Sequence, residues 1–396
     1  MISSPRFFLS KLLMFAKRGN MDDLKDFLEP LDVEILNEDA GFTDGQLGQH
    51  IKIFTGEIPD LDGIDLVIIG SGETRGSCRA IGVVNAANQI RKQFYRLHYW
   101  HDQIKIADLG NIKPGATLSD TYAAISTVTA ELNAHGITVI FLGGSHDLML
   151  GMYNSFKSNK KQIETTCIDA KIDLQGNSPF REENFLLEML TGEPNFIRHY
   201  NHIGFQSYFV HPRMLETMDK LRFDCFRVGV VREHIEEMEP VLRNTNLLGF
   251  DISAIRNSDA PSNQLTPNGL TGEEACTLMQ FAGLSPNLSG VGIYGYYSFD
   301  DHHELSAVQI AQMLWYFMDG RNKRLQESPL TERHNFNEYH TLFAEVDTLF
   351  LQSKRTQRWW MQLPDNKFIS CSYNDYLNAS RNQIPERWLR TQERDA

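Results

Sequence analysis

From residue 64 onward short apolar runs alternate with longer stretches of helical period, and this alternation constrains the fold more than any other feature of the sequence. A short run that is mainly apolar, without polar residues at every second position, offers little polar face to water, so it suits a strand covered on both sides. Strands of that kind separated by helical stretches are parallel and joined by crossovers. The runs are 64–70, 104–107, 137–142, 165–168, 202–206, 226–231, 247–252 and 290–296. Helices are expected near 85–97, 148–156, 275–282 and 304–318, and another is expected after Ser119 or Asp120, either of which can cap it, running to Gly136. Thr271 and Glu274 form a T-x-x-E capping box before the helix at 275–282. The prediction is an α/β chain with one doubly wound, mainly parallel sheet of about eight strands and helices on both faces.

This sheet occupies residues 61–322 as one domain, which leaves 1–60 as an N-terminal helical extension and 323–396 as an aromatic-rich C-terminal extension. Trp359, Trp360 and Trp388 argue that the C-terminal extension packs on the domain or at an interface. Residues 1–20 pair Arg6 with an apolar stretch, but Lys11 interrupts it and no small-residue cleavage site follows, so Met21 reads more plainly as a fresh amphipathic start. The formal charge of −13 argues against nucleic acid as a partner. No run is long and apolar enough to span a membrane. Five dispersed cysteines outside any CxxC spacing suggest neither a disulfide framework nor a zinc knuckle, and a cytoplasmic location is expected. Cys167, inside an apolar run, is expected in the core.

In an open α/β sheet, ligands bind beyond the carboxyl ends of the strands. Three of those ends carry polar clusters: Gly143-Gly144-Ser145-His146-Asp147, Asp169-Ala170-Lys171-Ile172-Asp173 and Asp251-Ile252-Ser253. Carboxylates and an imidazole gathered at one sheet edge repel one another unless a cation or ammonium stands among them. The run Asp300-Asp301-His302-His303-Glu304 reads instead as a helix start, with Asp300 or Asp301 near the N-cap, because successive loop residues point in different directions. Glu73, Arg75 and Arg79 lie in the loop after the first run and read equally as contacts to an anionic ligand or as solvated charges.

The three clusters, in this order, resemble the GGDH, DAHxD and DxD motifs of the arginase, agmatinase and formimidoylglutamase (ureohydrolase) family. Asp259-Ala260-Pro261 and Asn268-Gly269-Leu270-Thr271 fall where that family has its proline-containing GGLT-type segment. The resemblance covers about residues 60–320 and implies the three-layer α/β/α arginase-like fold. It also implies a site for two Mn²⁺ ions sharing a hydroxide that attacks a guanidinium or formimino carbon. His146, Asp169, Asp173 and Asp251 match the four protein ligands of one ion. The second ion would share Asp169 and Asp251 and would also need a histidine and an aspartate, where this chain has Lys171 and Ser253.

A protonated lysine cannot coordinate a metal, so Lys171 is expected to exclude the second ion and to supply one positive charge among the three aspartates. Aligning Asp301 and Ser306-Ala307 with the family's last motif puts Gly295 where a glutamate would receive the substrate's cation. The resemblance therefore implies either a single divalent ion, Mn²⁺ or another, or none. Two function classes follow from it. The first is a catalytically impaired homologue kept as a binding or scaffold protein. The second is a single-metal hydrolase of C–N bonds in linear amidines such as formiminoglutamate, agmatine or arginine. A homo-oligomer, trimer or hexamer, is implied by the resemblance alone.

Overall fold

The computed structural model describes residues 21–36, 41–79, 86–158 and 160–395. The expectations for residues 1–20 and for the end of the first loop at 80–82 lie outside these residues.

Among the described residues fourteen strands form two sheets: β1 Leu28–Glu29, β2 Lys52–Ile53, β3 Leu66–Gly70, β4 Ile106–Ile112, β5 Thr138–Leu142, β6 Ile163–Ile168, β7 Ile197–Phe205, β8 Asp224–Arg227, β9 Leu247–Asp251, β10 Gly290–Tyr294, β11 Phe336–Phe343, β12 Val346–Ser353, β13 Trp359–Gln362 and β14 Phe368–Cys371. The larger sheet runs β1-β4-β3-β5-β10-β9-β6-β7-β8, with β2 also on β4, and every pair except β1 with β4 is parallel. The eight expected strands are β3 to β10. Strands β3, β5 and β10 are buried at every residue, as their unbroken apolar sequence requires.

Successive side chains enter opposite layers. Ile68, Ile140, Phe250 and Ile293 pack with the helices Ala86–Tyr95, Gly272–Gly283 and Leu305–Arg324, whereas Val67, Val139, Cys167 and Tyr294 pack with Leu118–Ala134 and Met149–Ser158. The result is a three-layer α/β/α body, as expected. Cys167 is buried beside Met149, in agreement with its apolar context.

Several details differ from the sequence reading. The run 226–231 is not one strand: β8 ends at Arg227, and Val228–Glu233 is helical. A short apolar run does not distinguish strand from helix, and β8 is an edge strand paired only with β7, so nothing extends the ladder. Strand β4 runs past Ala107 because the buried carboxylate of Asp108 is matched by the guanidinium of Arg91 at 2.8 and 3.0 Å and the hydroxyl of Tyr95 at 2.8 Å. The helix Leu118–Ala134 is capped by Thr117, with Asp120 completing a capping box from the third helical position, so Ser119 and Asp120 are not the N-cap. The box at Thr271 and Glu274 forms as expected. Asp301 accepts from the amides of Ser306 and Ala307 at the start of the helix Leu305–Arg324, although Glu304 holds the N-cap position.

Among the described residues of 21–60, a stretch expected as a helical extension, helix is found in the 3-10 segments Met21–Asp26 and Leu47–Gln49 and in Val33–Leu36, while β1 and β2 add to the sheet edge. The tail forms the antiparallel sheet β11-β12-β13-β14 and the helices Tyr373–Ser380 and Glu386–Asp395. Trp359, Trp360 and Trp388 are buried. The Trp360 ring lies against the guanidinium groups of Arg243 and Arg358, 4.6 and 5.7 Å from its centre, which fastens the smaller sheet to the body. Among the described residues no helix is long and apolar enough to cross a membrane.

Candidate functional site

Sheet register brings the polar clusters together. Ile168 pairs with Phe250, so Asp169 and Asp251 leave adjacent strands side by side, and Tyr294 pairs with Asp251, which places Gly295 beside the same carboxylate. His146 arrives from the far side of β10 by a turn whose glycines, Gly143 and Gly144, have φ of +86° and +77°. A Cβ on either would stand under 3.0 Å from a backbone oxygen of the first loop, that of Ser71 or Glu73. The imidazole then lies against Gly249 of β9, where a Cβ would come within 3.0 Å of Nε2. Phe185 and Tyr294 pack on the ring at 4.7 and 5.2 Å.

Nδ1 of His146 faces three carboxylates. It lies 3.0 Å from Asp169 Oδ2, 3.2 Å from Asp173 Oδ2 and 3.8 Å from Asp251 Oδ2. Ligand atoms of His146, Asp169 and Asp251 all lie within 4.8 Å of one another. Burial disfavours the imidazolium, but hydrogen bonds to Asp169 and Asp173 outweigh it and hold His146 well above its ordinary pKa. Burial likewise pushes against ionisation of Asp169, yet the facing imidazolium brings it down to about 2. Asp173 is pushed well above the carboxylate range by burial and by the charge of Asp169, and Asp251 is raised to about 6 for the same two reasons.

Lys171 and Ser253 stand at the same edge. Ser253 donates its hydroxyl to Asp169 Oδ1 at 2.7 Å, and the Lys171 amide donates to the same oxygen at 3.0 Å. The ammonium of Lys171 was expected amid the three aspartates; its ion pair within 4 Å is instead with Glu183, at 3.6 Å. Burial lowers its pKa, but Glu183 first and then Asp173, Asp169 and Asp251 at longer range outweigh this, so the group is raised and stays charged.

All seven residues singled out from the sequence, His146, Asp169, Lys171, Asp173, Asp251, Ser253 and Gly295, line one cavity of about 310 Å³. Gly295 has φ of +72°, and a Cβ there would meet the Asp251 carboxylate at 2.6 Å. Arg79 also lines the cavity; it pairs with Asp300 and lies against Tyr297 and Phe299, 4.9 and 5.3 Å from their ring centres. Glu73 and Arg75 pair with each other, at 2.9 and 3.0 Å, and take no part in the lining. Sequence reasoning missed Glu182 and Glu183, which the 3-10 turn Arg181–Glu183 carries to the cavity, and Gly249, whose missing side chain makes room for the imidazole. Only the glycine within an apolar strand could have signalled the latter.

A model of the Arginase family matches residues 64–319. Among solved structures, a Trypanosoma cruzi formiminoglutamase with Mn²⁺ is 17% identical, with a TM-score of 0.62 over 71% of this chain and 100% of that one. The formimidoylglutamase of Bacillus subtilis gives 17% and 0.62 over 77% and 99%. An agmatine ureohydrolase of Thermoplasma volcanium gives 19% and 0.58 over 73% and 98%. Compared by sequence with curated proteins, the chain has no significant match.

Proposed function

The chain belongs to the arginase family, and from that premise we propose that it is a divergent, formiminoglutamase-like member whose cavity takes at most one divalent cation and which acts as a binding or scaffold protein. The observation that carries this reading is the state of Asp169. By resemblance its carboxylate would be shared between two ions, but here Oδ1 is already held by Ser253 and by the Lys171 amide. The positive end of Lys171 is raised in pKa beside the same cluster, and a second cation there would face a like charge.

The donor set suits one ion. One imidazole nitrogen and three carboxylate oxygens are a combination that Mn²⁺ or Zn²⁺ accepts, and the 3.0–3.8 Å spacings about His146 Nδ1 are compatible with donors bound about 2.0–2.2 Å from a shared ion. A divalent ion held there would supply Lewis acidity and lower the pKa of a bound water. The residues around it do the remaining work. Ser253 and the Lys171 amide fix the Asp169 carboxylate, Lys171 and Glu183 polarise one wall, and Arg79 is braced at another. Gly295 offers no carboxylate to a guanidinium, and any side chain there would press on Asp251.

The group of His146, Asp169 and Asp251 ligand atoms within 4.8 Å of one another beside an open cavity favours a second reading, a single-metal hydrolase of linear amidines. Metal analysis of dialysed protein and calorimetric Mn²⁺ titration, together with urea and formamide release from arginine, agmatine and formiminoglutamate, separate the two. The proposal expects no more than one ion per chain and no release. One ion with turnover transfers the assignment to the hydrolase, and two ions per chain overturn both.

A further inference from the structure

We propose that the free edge of β11 is a homodimer interface, where the strand pairs antiparallel with β11 of a second copy about a twofold axis through Tyr339. Strand β11 is outermost in the smaller sheet and has eight residues, whereas the strands at the other sheet edges, β1, β2, β8 and β14, have two to four. A long unpaired edge presents a row of amides and carbonyls that another strand can take up.

The turn decides which of those groups face outward. Ala344 and Glu345 both have positive φ, +47° and +65°, as a two-residue type I′ hairpin requires, and Phe343 pairs with Val346 across it. That closing pair exchanges hydrogen bonds, and because bonded pairs alternate along an antiparallel ladder, Thr341, Tyr339 and Asn337 also bond β12. The amides and carbonyls of Leu342, His340, Glu338 and Phe336 therefore point away from β12. Among the described residues no backbone hydrogen bond from another segment reaches them.

The order of these four residues selects a second copy as the partner. Antiparallel pairing centred on Tyr339 sets Glu338 opposite His340 and Phe336 opposite Leu342, and symmetry makes each pair twice. A centre at Glu338 would set that carboxylate against itself, and a centre at His340 would leave Glu338 opposite Leu342. The side chains concerned are available. Leu342 is 64% exposed, and Glu338 and His340 have exposed contacts at 4.0 Å to Arg333 and 3.7 Å to Asp347, pairs of little worth in water. The twofold operation closes the assembly at two copies and joins two four-stranded sheets into one. The strand lies beyond residues 64–319, so the interface owes nothing to the family's own contacts.

The test is sedimentation equilibrium of the full chain, with urea unfolding to confirm that each variant folds. Wild type should dimerise reversibly below about 100 µM. His340→Glu sets like charges opposite each other at both pairs and should raise the dimer Kd about tenfold, and adding Glu338→Lys should bring it back near the wild-type value. His340→Pro removes an outward amide while leaving the bonds to β12, and should also weaken the dimer. A wild type that stays monomeric overturns the proposal, as does an assembly of any size that both His340 variants leave intact. Weakening by His340→Glu that Glu338→Lys does not reverse overturns the register. Metal titration reads the distant cavity around His146, so either proposal can fail without the other.

Discussion

Restoring the two residues that the second metal position lacks, Lys171→His with Ser253→Asp, is the most direct test of the electrostatic reasoning. The substitution removes one positive charge and adds one negative charge beside the carboxylates of Asp169, Asp173 and Asp251, a change of two units. Lys171 stands 3.6 Å from Glu183 with its side chain 30% exposed. A unit pair at about 4 Å is worth about 4 kcal/mol at an effective dielectric of 20, and partial exposure reduces this to about 2 kcal/mol. A carboxylate in place of the Ser253 hydroxyl exchanges the 2.7 Å hydrogen bond to Asp169 for a like-charge contact, which costs about 2 kcal/mol more. The metal-free double variant is expected to lose about 4 kcal/mol in all. A site that binds Mn²⁺ only in the folded state returns about 2.7 kcal/mol at one hundred times its Kd and about 4.1 at one thousand times. Urea unfolding with and without Mn²⁺ gives the stability, and metal analysis gives the stoichiometry. Wild type should gain from no more than one ion, and the double variant should recover wild-type stability with two bound. A metal-free loss under about 1 kcal/mol, or a double variant that remains at one ion, would refute the argument that the Lys171 ammonium and the Ser253 hydroxyl keep a second ion out.

Three further outcomes follow from particular contacts. Gly249→Ala places a Cβ 2.5 Å from Met149 Sδ and 3.0 Å from His146 Nε2, so it should cost about 1–3 kcal/mol in urea unfolding and weaken Mn²⁺ binding in calorimetry by displacing the imidazole. Burial pushes Asp224 up, but the hydrogen bond from His199 at 3.0 Å and the charges of Arg394 and Arg390 outweigh it, and its folded-state pKa lies below the ordinary aspartate value. The stability it contributes is present above the unfolded value and lost as pH falls through the folded one. Asp224→Asn should therefore cost about 1–2 kcal/mol near neutral pH and converge on wild type in acid, as read by urea unfolding between about pH 7 and pH 2.5. Arg243→Met removes the stack on Trp360, the 2.8 Å bond to the Trp359 carbonyl and one of the two guanidinium partners of half-buried Glu239, the other being Arg358 at 3.8 Å, and should cost about 2–4 kcal/mol. Limited proteolysis should then cut first between the body and β11.

The sequence determined the layers and the sheet edge. Mainly apolar runs call for strands covered on both faces, and helical periods between them call for crossovers, so the fold class and the location of the polar clusters were legible without coordinates. His146, Asp169, Asp173 and Asp251 were legible because each follows a run that ends at the same edge, and Lys171, Ser253 and Gly295 because they depart from the pattern. Tertiary structure decided what those residues do to one another. Register between β6, β9 and β10 sets Asp169, Asp251 and Gly295 side by side; the turn at Arg181–Glu183 supplies the carboxylate that holds Lys171; and Ser253 reaches Asp169 from the next strand. The end of the sheet was likewise invisible, since the run 226–231 reads alike as strand or helix until one knows that β8 has a neighbour on one side only. Local pattern fixes which elements form because burial acts residue by residue, whereas the charge balance of a site depends on separations between segments distant in sequence, which only packing sets.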